Sequence, residues 1–188
     1  MKTKKKGRVQ AKGYALKSAK ECAFIAVFVA LTIAAQLVLS AVPGVEAVTV
    51  LFCAYAFTFG IKRGMTAATA FSLLRQLLFG FYPTVLILYF LYYNILSVAF
   101  ALLGKKIKRL LRYLPFIMIT ACVCTVFFTL MDNVLTPLWY RYSARATRAY
   151  FIASLPFMGV QTLNAGITVG LLFFPLQRAF ATAKRSLF

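Results

Sequence analysis

Residues 21–42 read ECAFIAVFVALTIAAQLVLSAV, and this stretch decides the class of the protein. After Glu21 it contains no charged residue. As a helix rising 1.5 Å per residue it would be about 33 Å long, enough to cross the roughly 30 Å apolar core of a bilayer. It is also longer than the roughly 7–15 apolar residues of a secretory signal. We therefore expect a retained transmembrane helix and not a cleaved signal.

The composition of the whole chain agrees with this expectation. Of 188 residues, 62% are hydrophobic and 13% are charged, whereas soluble domains average about 45–50% and about 25%. The surplus apolar surface must face lipid. Residues 1–20, rich in Lys and Arg, are expected to form a basic, solvated cytoplasmic arm.

Five more apolar runs follow, separated by basic turns or by Gly and Pro. Pro137 is expected to end the fifth run, because proline cannot donate the next helical hydrogen bond, and a polar connection over 136–150 would follow. The sequence thus predicts an all-α integral membrane bundle of six transmembrane helices, forming a single domain over 21–178, and a basic cytoplasmic tail over 179–188. The five runs cover about 46–60, 64–78, 83–103, 113–135 and 151–176.

The second and third runs are short, which leaves two topologies open. A re-entrant hairpin would place Lys62 and Arg63 near the middle of the membrane, at about 2.5–3.5 kcal/mol for each cation. Two short spanning helices avoid that cost and are preferred. With six spans, nearly all Lys and Arg residues fall on one side, so the positive-inside rule predicts that both termini are cytoplasmic.

Several function classes are disfavoured by the residues present. The chain has no His, and its only acids are Glu21, Glu46 and Asp132, so we expect no enzyme, no metal site and no cofactor. The basic residues lie between apolar runs and not along one solvated face, which argues against a nucleic-acid partner. The four cysteines lie in apolar runs and are expected to pack as small hydrophobes, without disulfides.

Polar side chains within the spans map to the outer half of the bundle in this topology, and such groups usually face a wet cavity. We take them as candidate substrate-binding residues. Tyr89 and Tyr93, at i and i+4 on the fourth helix, are added because they could form the base of a pocket for a flat ring. The alternative is a structural ion pair between Arg75 and Glu46 or Asp132. The candidates are Glu46, Arg75, Tyr89, Tyr93, Asp132, Asn133, Gln161 and Asn164.

Four further patterns concern helix packing and surfaces. Ala26, Ala30 and Ala34 form a small-residue stripe on the first helix, which serves either packing inside the bundle or contact with a partner helix. The third-helix face (Gly64, Ala68, Ser72, Gln76) and the Gly166-x-x-x-Gly170 motif are expected to pack within the chain. Arg141, Arg145 and Arg148 indicate an amphipathic turn lying on lipid headgroups, or else a gate that attracts an anionic solute.

Together, the six short helices, the alanine stripe and three stretches resemble the substrate-binding S component of energy-coupling factor (ECF) transporters. The stretches are Glu46-Ala-Val-Thr-Val, Phe59-Gly-Ile-Lys-Arg-Gly64 and Phe79-Gly-Phe-Tyr-Pro83. The resemblance covers roughly residues 20–180.

The resemblance implies a vitamin-uptake module of prokaryotic plasma membranes that binds a vitamin or related micronutrient at its outer face. It implies docking through Ala26, Ala30 and Ala34 onto a membrane coupling subunit driven by two cytoplasmic ATPases. The chain has no phosphate-binding Gly-rich loop of its own. No substrate-specific signature is present, so the substrate stays open. A stand-alone secondary transporter or channel is the main alternative, and a lipid-directed membrane enzyme is a weaker one.

Overall fold

A computed structural model describes residues 19–41, 47–107 and 109–187, and within these ranges the chain is helical with no strand. The prediction of an all-helical protein is confirmed. Glu46 and most of the predicted basic arm lie outside the described residues. The elements are α1 (Ala19–Leu39), α2 (Val48–Phe59), α3 (Ile61–Phe79), α4 (Pro83–Lys106), a 3-10 turn (Leu111–Tyr113), α5 (Leu114–Trp139) and α6 (Ala144–Leu187).

Four of these helices, α1, α4, α5 and α6, are long and apolar enough to cross a bilayer. Large apolar side chains stand exposed on the outside of the bundle, for example Leu77 at 81% and Val38 at 77% of their maximal surface. A water-soluble monomer rarely exposes contiguous apolar surface on this scale. The four long apolar helices and the apolar side chains exposed on them indicate a multi-pass membrane protein.

The short helix α2 is the centre of the bundle. Ten of its 12 residues are buried, and it packs mainly against α4 and α6. The close approach to α4 depends on Gly104, because a Cβ atom there would lie 2.2 Å from the backbone oxygen of Phe57. Only a residue without a side chain fits this contact. Around α2 the core is rich in aromatic rings, such as Phe28 stacked on Tyr55 with centroids 3.9 Å apart.

Polar contacts bring the start of α1, the end of α2, the start of α3 and the end of α6 to one end of the bundle, called here the basic end. Arg63 donates to Glu21 at 2.5 Å, which joins α3 to α1. Lys184 donates to the backbone oxygen of Thr58 at 2.6 Å, which joins α6 to α2. Gly60, at φ 84°, makes the turn from α2 to α3. The opposite end, where α5 passes to α6, is called the far end.

The limits of α5 and α6 differ from the prediction. Helix α5 continues through Pro137 to Trp139, and α6 begins at Ala144 and includes Pro156 and Pro175. The polar connection expected over 136–150 was therefore wrong, and residues 140–143 alone join the two helices. A proline removes one backbone hydrogen bond, whereas unwinding a helix in an apolar medium exposes many polar groups. Arg145 and Arg148 consequently lie in the first turns of α6.

The two small-residue motifs expected to pack within the chain do so. A Cβ atom at Gly166 would lie 3.2 Å from the sulfur of Cys122, and one at Gly170 would lie 3.0 Å from Met118. A Cβ atom at Gly64 would lie 3.1 Å from the Cβ of Ser97 and 3.3 Å from that of Ala56. These glycines therefore set the spacing between neighbouring helices.

Candidate functional site

A cavity of about 330 Å³ lies between α5 and α6 in the far half of the bundle, and we call it the Asp132 pocket. Asp132 is seven residues, or about 10 Å, from the end of α5. The cavity volume falls at the lower end of the range of about 300–1,000 Å³ for small-molecule sites. The lining residues are Phe128, Thr129, Asp132, Tyr150, Ala153, Ser154, Phe157 and Gln161.

The carboxylate of Asp132 accepts two short hydrogen bonds. Thr136 donates to one oxygen at 2.7 Å and Tyr150 donates to the other at 2.7 Å. Among the described residues no Lys or Arg forms an ion pair with Asp132, so the alternative of a structural pair with Arg75 is not observed there. The hydroxyl groups hold the carboxylate in place and leave its negative charge uncompensated by a described cation.

Two further polar contacts join α5 to α6 beside the pocket. The amide nitrogen of Asn133 donates to the hydroxyl of Ser154 at 2.7 Å, and the hydroxyl of Thr129 donates to the amide oxygen of Gln161 at 3.4 Å. Asn133 is only 4% exposed, and its amide oxygen has no hydrogen-bond partner among the described residues. These contacts fix the distance between the two pocket walls.

Arg75 lies in a second polar group, the Arg75 cluster, formed by Gln36, Arg75, Phe79 and Tyr89. Its Nε donates to Gln36 at 3.1 Å, and the Gln36 amide in turn donates to the Tyr89 hydroxyl at 3.2 Å. The guanidinium carbon lies 4.6 Å from the Phe79 ring centroid and 4.3 Å from that of Tyr89. Cation–π contacts of this geometry stabilise a charge held partly out of water.

Phe128 connects the two groups. Its ring lines the Asp132 pocket and makes an edge contact with Tyr89, with centroids 5.7 Å apart. The Tyr89 ring, which lies against the Arg75 guanidinium, therefore also contacts the pocket wall. The Arg75 cluster and the Asp132 pocket form one continuous region of the far half.

The remaining predicted site residues occupy other positions. Tyr93 is 2% exposed and packs in the core against Phe52 and Phe71. Asn164 is half-buried on α6 and does not line the Asp132 pocket. Glu46 lies outside the described residues.

Sequence reasoning missed several pocket residues, and a usable signal existed for some of them. Thr129 and Thr136 flank Asp132 on α5 at spacings of three and four, which places all three on one helix face. Ser154 and Gln161 share a face of α6 at i and i+7. Tyr150 was missed because the predicted polar connection included it. Phe128 and Phe157 carry no sequence feature that separates them from packing aromatics.

The alanine stripe lies on the outside of the bundle. Ala26, Ala30 and Ala34 are exposed and line an open groove of about 450 Å³ between α1 and α3. The opposite wall is apolar and formed by Leu74, Leu77 and Leu78. Packing of the stripe inside the bundle, one of the two alternatives, is therefore not what the structure has.

No protein-family model, no curated protein and no solved structure matches the chain. Its function must be inferred from its residues and their geometry.

Proposed function

We propose that this chain is the substrate-capture (S) subunit of an ECF-type importer in a prokaryotic plasma membrane. In this proposal six helices span the bilayer with both termini in the cytoplasm. The far end faces outward and binds a vitamin or related micronutrient. A membrane coupling subunit and two ATPases, all separate proteins, drive the transport cycle.

The observation that carries the proposal is the exposed alanine groove. Small residues that face lipid allow a second helix to approach closely, and van der Waals packing then drives association in a membrane. The stripe runs over two turns of α1, and its three alanines are exposed along the groove. The chain thus has an exposed groove that could accept a partner helix and, apart from it, the polar Asp132 pocket. This combination suits a subunit that binds a solute and works together with a partner protein.

The proposal is tested by purifying the tagged chain from its native membrane in mild detergent and identifying the proteins that elute with it. We expect a membrane coupling subunit and two ATPases. Recovery of the chain alone, repeated under gentler extraction, would instead favour a stand-alone secondary transporter or channel.

Ala30→Trp tests the docking surface directly. An indole in the groove would hold a partner helix several Å away, so we expect the coupling subunit to be lost from the purification. Leu31→Trp is the control, because Leu31 is exposed on the same helix and does not line the groove. Equal recovery of the coupling subunit with both variants would contradict the docking role.

Arg75→Ala tests the substrate side. Removing the guanidinium takes away the donor to Gln36 and the cation held between Phe79 and Tyr89. We expect uptake of the transported micronutrient by whole cells to fall at least tenfold while the coupling subunit still elutes with the chain. Unchanged uptake would remove Arg75 from the binding site.

A further inference from the structure

We infer that the Asp132 pocket selects an organic cation, that is, a ligand with an ammonium or a positively charged nitrogen ring beside a small aromatic or apolar group. The inference rests on the proposed function in one respect, because it takes this pocket as the place where the substrate binds. It adds the chemical class of that substrate.

The first support is the set of partners around the carboxylate. Both oxygens of Asp132 accept hydrogen bonds from neutral hydroxyl groups, which orient the carboxylate without supplying a positive charge. Asp132 is half-buried, and holding an unpaired charge partly out of water costs free energy. Because no described Lys or Arg pairs with Asp132, a cationic ligand would complete the site and recover that cost.

The second support is the aromatic lining. Phe128, Tyr150 and Phe157 all face the same cavity as the carboxylate. Aromatic faces attract cations by about 0.5–2 kcal/mol, most strongly where water is excluded. An organic ammonium ion could contact these aromatic rings and pair with the Asp132 carboxylate at the same time. An anionic ligand would gain nothing from the rings and would be repelled by Asp132.

The third support is the size of the cavity and the nature of its donors. A dry cavity of about 150 Å³ holds benzene, so a cavity of about 330 Å³ has room for a ring with a charged substituent. A bound metal ion would need several oxygen or nitrogen ligands. Among the described residues no cluster of three or more acidic, His or Cys side chains could supply them. The single carboxylate suits a bulky, soft cation better.

Three exposed arginines, Arg141, Arg145 and Arg148, lie near the far end of α5 and α6. Their charges are screened over about 8–10 Å by physiological salt. None of the three lines the Asp132 pocket, and Asp132 is the only charged side chain among the described residues that do.

The test uses three probes of similar size and different charge: benzyltrimethylammonium, benzyl alcohol and benzenesulfonate. Binding of each to the purified full chain in nanodiscs is measured by isothermal titration calorimetry. We expect the cation to bind at least tenfold more tightly than the neutral and anionic probes. Asp132→Asn keeps the shape of the side chain and should weaken cation binding at least tenfold, which corresponds to about 1.4 kcal/mol. Thr120→Val, on the same helix and far from the pocket, should bind all probes as the natural chain does.

Two results would overturn the inference: equal or absent binding of the three probes to the natural chain, or unchanged cation binding by Asp132→Asn. If Asp132→Asn does not fold, the charge preference of the natural chain still decides. The copurification experiment separates this inference from the proposed function. A cation preference without a coupling subunit leaves the pocket assignment standing and refutes the S-subunit proposal. Recovery of a coupling subunit without a cation preference supports the S-subunit proposal and refutes the cation inference.

Discussion

Gly104→Ala is expected to destabilise the bundle, because the added Cβ atom would clash with the backbone oxygen of Phe57. The added Cβ would lie 2.2 Å from the backbone oxygen of Phe57, whereas ordinary carbon contacts are about 3.5–4.0 Å. To relieve this contact, α4 would have to move away from α2 by more than about 1 Å. The obstructing atom belongs to the backbone of the buried helix α2 and cannot rotate away.

Overpacking of this kind costs about 1–3 kcal/mol. The higher helix propensity of Ala returns up to about 1 kcal/mol. We expect a net loss of up to about 2 kcal/mol, measured as the change in unfolding free energy in a denaturant titration of the detergent-solubilised chain.

Gly159→Ala is the matched control. Gly159 also lies within a helix, and apart from its own helix backbone and chain neighbours a Cβ atom there would meet no atom of the described residues within 4 Å. This variant should be as stable as the natural chain or slightly more stable. If Gly104→Ala proved as stable as Gly159→Ala, the close packing of α4 on α2 would be refuted.

Two other contacts give predictions of stability. Arg63→Met should destabilise the fold by up to about 3–5 kcal/mol, because it removes the Arg63 guanidinium from its ion pair with the buried Glu21. Adding Glu21→Met should restore most of that loss in a double-mutant cycle, and a double variant as unstable as Arg63→Met alone would contradict this. Ser154→Ala should cost about 1–3 kcal/mol, because the buried Asn133 amide loses its acceptor, while Ser186→Ala at an exposed site should change the unfolding free energy by less than about 0.5 kcal/mol.

The helical fold could be predicted because lipid leaves the backbone few choices. Every polar backbone group in a bilayer must be satisfied within the protein, so the apolar run that forms α1 (Ala19–Leu39) has one stable local structure. The ends of helices were harder to predict. Pro137 and Pro156 are breakers by the rules for soluble proteins, yet both lie within helices here. The prediction did not take into account that unwinding a helix in an apolar surrounding costs more free energy than the one hydrogen bond lost at a proline.

The candidate site was harder to predict than the fold. Asp132 and Gln161 were chosen separately as polar residues within spans, and the structure brings them into one cavity. Their partners depend on the rotation of each helix about its axis. The contact of Tyr150 with Asp132 and that of Arg63 with Glu21 join residues on different helices. No local pattern in one sequence specifies such rotations, since packing over the whole bundle sets them.

The last residue of α5, Trp139, is the only tryptophan in the chain and is 52% exposed. Fluorescence excited at the red edge of the spectrum therefore comes from a single indole, about two turns along α5 from Asp132. Quenching by lipids brominated at known depths would give the height of this indole in the bilayer without any attached label. Changes in its emission during titration of a solute would report on the end of the α5–α6 pair alone.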